Sequence, residues 1–118
     1  MKAQFGAVIV AAGNSRRMGG KTSKVLEQLN GKPVLLYSFE TLAACPRVGE
    51  LAVVCREGDQ VQIREILSGV TEKPVKVVPG GKERQDSVLA GVQALSTPWE
   101  YLLIHDGARP LVTEEVVE

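Results

Sequence analysis

Aromatic side chains are scarce in this sequence. Two Phe, two Tyr and one Trp occur among 118 residues, and Phe5, Tyr37, Phe39, Trp99 and Tyr101 are too scattered to form the stacking platform that single-stranded nucleic acid requires. A charge excess is also missing. Fourteen Lys and Arg balance fourteen Asp and Glu, for a formal net charge of zero, which removes broad electrostatic capture of nucleic acid or an anionic membrane. No apolar run approaches the roughly 18–20 residues of a membrane span. Cysteine is limited to Cys45 and Cys55, which match no metal-ligand spacing and read as reduced, packed thiols. Lys2 followed by a short apolar run is a poor secretory signal, and the Arg16-Arg17 pair follows that run where a twin-arginine signal has its pair in front. A cytoplasmic chain is therefore expected.

What is present describes a folded domain. Hydrophobic residues make up 44% and charged residues 24%, against disorder, and the length suits a single core. Four apolar runs have strand length: Phe5 to Val10, Glu50 to Cys55, Val75 to Val78 and Tyr101 to Ile104. The first and last lack polar alternation, as strands buried on both faces do. Helical patterns lie between them. One starts at Pro33, near a first-turn position. A second carries Val61, Ile63, Ile66 and Leu67 with Asp59 as its N-cap. A third runs from Asp86 to Leu95, with Val88, Leu89, Val92 and Leu95 on one face. Alternating strands and helices predict an α/β fold of three layers, a mostly parallel Rossmann-like sheet between helices. Thr113-Glu114-Glu115 reads as the start of a further helix. The chain stops about one turn later, so residues 1–118 are expected to be a fragment of one longer domain.

The segment from 11 to 31 breaks the alternation with a long glycine-rich loop after the first strand. Small residues at 11–13 allow close backbone approach, and Gly13, Gly19 and Gly20 permit positive φ. Successive backbone N–H groups in such a loop form an anion-binding concavity. Arg16, Arg17, Lys21 and Lys24 add four cations within nine residues and no acid. A polyphosphate guest is expected. Ligands bind beyond the carboxyl ends of strands in open α/β sheets, so this loop, Gly80-Gly81 and His105-Asp106 should share one rim. Residues Ser15 to Thr22 miss a Walker A motif only by its first glycine. A P-loop-like binding module, in which Lys21 and Thr22 hold the phosphates, is thus a competing reading.

Three motifs taken together are more specific. Ala11-Ala-Gly with Arg17-Met-Gly and Lys24, then Gly80-Gly81-Lys-Glu-Arg84-Gln-Asp86-Ser87, then His105-Asp106-Gly-Ala-Arg109-Pro110, resemble the 2-C-methyl-D-erythritol 4-phosphate cytidylyltransferase family through essentially the whole chain. The resemblance implies a Rossmann-like nucleotidyltransferase fold and formation of CDP-methylerythritol and pyrophosphate from CTP and methylerythritol phosphate. It implies Arg17 and Lys24 as catalytic cations on the α-phosphate. It implies Ala11, Ala12, Gly13, Gly81, Ser87 and Asp106 at the nucleotide, with Asp106 also the Mg²⁺ residue. A homodimer is implied, with an arm of the partner helping to hold the acceptor. The family commonly has Pro-Lys-Gln where Ser23-Lys24-Val25 stands, and its members run to roughly twice this length. A ribitol-5-phosphate cytidylyltransferase is the nearest enzyme alternative, though it tends to carry Val where Ala108 stands.

The remaining polar residues have structural readings. His105 at a strand end suits a structural hydrogen bond more than acid–base work. Arg84 either reaches the nucleotide or pairs with Glu83 or Asp86. Asp86 reads as a cap of the helix that begins there, and Arg109 either contacts the acceptor or, as the favoured reading, braces the turn at Pro110.

Overall fold

The computed structural model describes residues 4–12, 28–29, 31–81, 83–96, 99–106 and 116–117. Among the described residues eleven elements follow one another. Strand β1 is Phe5–Ala11, and the two-residue strands β2 (Gln28–Leu29) and β3 (Lys32–Pro33) form a small antiparallel pair. Helix α1 is Val34–Ala43, β4 is Val48–Cys55, and a short 3-10 turn at Glu57–Asp59 leads into α2, Gln60–Leu67. Then come β5 (Val75–Pro79), α3 (Arg84–Ala94), β6 (Tyr101–Asp106) and β7 (Val116–Val117).

The main sheet has the order β5-β4-β1-β6-β7. The first four strands are mutually parallel, and β7 is antiparallel to β6. Strand β1 lies at the centre, so the chain builds outward to β4 and β5, then crosses through α3 to β6 on the other side. Ala7 to Val10 of β1 are all buried, as the unbroken apolar run requires when both faces are covered. One face, formed by Ala7, Ile9, Leu51 and Val53, packs against Leu35, Phe39 and Leu42 of α1 and Ile63 and Leu67 of α2. Burying side chains of this size stabilises by about 1.5–3 kcal/mol each. The other face, Val8, Val10, Ala52 and Val54, meets Val88, Val92 and Leu95 of the α3 segment. The expected three-layer α/β architecture is therefore observed.

Local details differ from the sequence reading. Pro33 closes β3 and stands at the N-cap of α1 with ψ 140°, because its ring favours extended backbone and it has no N–H to donate. Asp59 precedes α2 but makes no side-chain cap. Its carboxylate instead lies 3.3 Å from Arg56 Nε. Helix α3 begins at Arg84, two residues before the predicted start, and Leu89 is 54% exposed. The inward stripe is made by Ser87 and Gly91, both buried, since small residues let the helix approach the sheet closely. Val116–Val117 form β7 in place of the first turn of a helix. The edge of β6 offers unpaired backbone groups, and β-branched residues suit a strand there.

Candidate nucleotide-binding rim

Strand β1 sits where the connections diverge, and its carboxyl end is the switch point at which such sheets take ligands. Ala11 and Ala12 complete that end on opposite faces. Ala11 is buried in the core against α1 and α2, and Ala12 packs on the α3 side. The end of β5 is drawn to the same place by Gly80, whose N–H donates to the Cys55 carbonyl at 2.9 Å. A Cβ added at Gly80 would lie 2.8 Å from Ala12 Cβ, 3.0 Å from Val54 Cγ1 and 2.5 Å from Ser87 Oγ. Only glycine fits there. The result brings β1, β4, β5 and α3 together around a single backbone position. Ser87 is 3% exposed, with its hydroxyl facing that glycine.

The start of α3 is set by its own acids. The Glu83 side chain accepts from the Asp86 backbone, and Asp86 Oδ2 accepts the Glu83 N–H at 3.2 Å. This is a capping box assembled from two carboxylates, with Asp86 as its third helical residue and Glu83 as the cap. Asp86 does cap the helix, but from inside its first turn. Asp86 also crowds Gly81, because a Cβ on Gly81 would collide with Asp86 Cβ. Arg84 is exposed and forms no ion pair with Glu83 or Asp86. An open groove of about 530 Å³ on the outer side of α3 is lined by Arg84, Gln85, Val88, Leu89 and Val92, away from Ala12 and Gly80.

Across the switch point, β6 ends at His105 and Asp106, in register with Ile9 and Val10 of β1. His105 is buried, and its Nε2 lies 3.1 Å from the Ser38 hydroxyl of α1. The structural reading of His105 therefore holds. Ser38 itself was not singled out in the sequence, although a serine at the inward spacing 35, 38, 39, 42 was a readable signal. Arg17, Lys24 and Gly13, with Lys21 and Arg109, lie outside the described residues. The rim brings together Ala12, Gly81 with its neighbour Gly80, Ser87 and the backbone of Asp106, while Ala11 turns into the core.

Both cysteines are free thiols. Burial pushes the Cys55 thiol up to about 11, with the Asp59 charge adding to the rise and Arg64 opposing it. A thiol held this far up is inert at neutral pH, in agreement with a packed, structural role. Among the described residues no group of three or more His, Cys, Asp or Glu could hold a metal ion. Mg²⁺ that arrives with a nucleotide needs only one or two carboxylates besides the substrate phosphates, and the Asp106 backbone closes β6 at the rim. No helix among the described residues is long and apolar enough to cross a membrane.

A parallel sheet with its glycine-closed rim at the switch point defines a three-layer α/β protein of Rossmann-like type. A family model for 2-C-methyl-D-erythritol 4-phosphate cytidylyltransferase matches residues 5–118, and the chain belongs to that family. A relative of the same description from Clostridium botulinum (strain Langeland) is 42% identical over 113 residues, which cover 94% of this chain and 49% of the relative. Another from Symbiobacterium thermophilum is 41% identical over 111 residues, covering 94% and 46%. Among solved structures, 4-diphosphocytidyl-2C-methyl-D-erythritol synthase from Anaerococcus prevotii superposes with a TM-score of 0.75 at 30% identity, over 92% of this chain and 44% of that one. The chain spans about half the length of the relatives it matches.

Proposed function

We propose that this chain supplies the CTP-binding half of a cytidylyltransferase that joins CTP to 2-C-methyl-D-erythritol 4-phosphate and releases pyrophosphate. The observation that carries this reading is the family match through residues 5–118. The convergence of Ala12, Gly80 and Ser87 at the switch point supports it. In the proposed reaction an acceptor phosphate oxygen bonds to the α-phosphorus of CTP, and the bond from that phosphorus to the β-phosphate bridging oxygen breaks. No general base is needed, because a phosphate monoester is already ionised at pH 7. Two anions must nevertheless approach each other. Arg17 and Lys24 offset that repulsion and the charge that builds on the non-bridging oxygens. The backbone of residues 11–13 and of Gly80-Gly81, with the Ser87 hydroxyl, binds and orients the nucleotide. Asp106 would hold Mg²⁺, which when bound neutralises phosphate charge. The protein acts in the cytoplasm as a homodimer.

The test is an assay of the complete protein with CTP, methylerythritol phosphate and Mg²⁺, with CDP-methylerythritol and pyrophosphate as products. Lys24→Ala and Arg17→Ala are each expected to lower kcat by about 10²–10³, by analogy with loss of an oxyanion donor, while CTP affinity changes little. Preference for ribitol 5-phosphate as acceptor would move the assignment to that sister activity. ATP or GTP binding that depends on Lys21 and not on Lys24 would replace it with a P-loop module.

A further inference from the structure

The far end of α3 holds a charged cluster that the rim does not use. Glu50 of β4 is 1% exposed and shares the α3 side of the sheet with Ala52 and Val54. Its two carboxylate oxygens accept the Ser96 N–H at 2.9 and 3.0 Å, the Ser96 hydroxyl at 2.9 Å and the Trp99 indole N–H at 3.1 Å. Lys76 of β5 completes the set, with Nζ 3.5 Å from Glu50 Oε2 and donating to the Ser96 hydroxyl at 3.0 Å and the Ala94 carbonyl at 3.3 Å. Each of these partners except Lys76 belongs to the last residue of α3 or to the segment leading to β6. The indole of Trp99 and Leu95 also lie over Gly6, where an added Cβ would meet Leu95 Cδ1 at 2.9 Å.

One stripe of α3 connects this cluster to the rim. Ser87, Gly91 and Leu95 follow each other at four-residue spacing and so lie on one helix face. They meet the sheet at Gly80, at Val8 and Val54, and at Gly6 in turn. A Cβ on Gly91 would lie 2.9 Å from Val54 Cγ2, so the helix backbone rests directly on the sheet at its middle and the helix moves against it as one body. Fixing the last turn therefore fixes the first.

We infer that Glu50 is a positioning residue for the nucleotide wall: by clamping Ser96 and Trp99 at the base of the sheet, it sets the axial placement of α3 and hence of Ser87 against Gly80. The effect on nucleotide binding rests on the function proposed above, whereas the effect on α3 does not. Both are measured in the complete protein with Glu50→Gln, which removes the charge at similar volume, and with Trp99→Phe, which removes one donor and keeps a ring over Gly6. Amide hydrogen exchange is expected to lose more protection along α3, including Ser87, than along α1. The CTP KM is expected to rise about three- to tenfold with kcat nearly constant, and Trp99→Phe to show the smaller rise. A clamp that only stabilised the fold would lower the active fraction, reducing the maximal rate and leaving KM alone. Protection lost equally from α1 and α3, or an unmoved KM in a protein that turns over CTP, overturns the inference. If the parent protein does not use CTP, the proposed function fails while the exchange pattern still decides the role of Glu50.

Discussion

His105 and Ser38 meet between β6 and α1, imidazole Nε2 to hydroxyl Oγ at 3.1 Å, with both residues buried. They are 67 positions apart in the chain, so the contact ties the end of the strand that carries Asp106 to the helix that follows the glycine-rich segment. Ser38→Ala removes this buried contact with the imidazole, and loss of a typical hydrogen bond costs about 0.5–1.5 kcal/mol. Urea unfolding should show the midpoint falling with an unchanged m-value. An unaltered midpoint would mean that the contact contributes nothing to stability.

Gly80→Ala tests the rim directly. The added methyl must displace Ser87 Oγ, Ala12 or Val54, and overpacking of this kind costs about 1–3 kcal/mol. Nucleotide affinity should suffer more than the fold. We expect calorimetric CTP binding to weaken by at least tenfold, a change of about 1.4 kcal/mol, in a variant that still unfolds cooperatively.

Glu50 makes stability sensitive to acid. Burial pushes its carboxyl up, but the Ser96 amide and hydroxyl, the Trp99 indole and the Lys76 charge outweigh burial and hold it below the ordinary carboxylate value. A carboxyl lowered on folding contributes stability that is fully present above its unfolded pKa, about 4.3. That contribution is lost as pH falls through the lower, folded value. Glu50→Gln should therefore be less stable than the parent at pH 7, by about 1–3 kcal/mol. The gap should narrow as pH drops below about 4. Melting temperatures measured from pH 7 to pH 3 would reveal it, and a constant gap would contradict the assignment.

The two thiols should separate by reactivity. Cys55 is fully buried and raised to about 11, while Cys45 is partly exposed. A disulfide reagent at pH 8 is expected to modify Cys45 readily and Cys55 only after denaturant is added. The raised thiol also favours the folded state below its unfolded pKa of about 8.5, a contribution lost as pH climbs toward 11.

Much of the fold was legible because buried parallel strands leave an unambiguous trace. The run at Phe5 to Val10 became β1 with one residue added, and Tyr101 to Ile104 became β6 with two. The rim was legible in outline, since strand ends must converge in such a sheet. Side-chain detail was harder to read. Leu89 shares helical spacing with Val88 and Val92, yet it faces outward because the close contact belongs to Ser87 and Gly91. Asp59 looked like a cap, but Arg56 provides its carboxylate with a better partner. Glu50 opens the apolar run that ends at Cys55. An acid in the same row as Ala52 and Val54 was the available signal, but its partners lie 46 and 49 positions downstream, where no local pattern reaches.

The central place of β1 has a consequence for biosynthesis. The strand is translated before both of its neighbours, because Phe5 pairs with Val48 on one side and with Tyr101 on the other. Its second neighbour is therefore translated almost a hundred residues after it. At about 5–20 residues per second, that delay lasts seconds. During it the most apolar segment of the chain has an open edge. An open edge on an apolar strand is a template for pairing with another chain, so this interval between the two pairings is the one most exposed to aggregation.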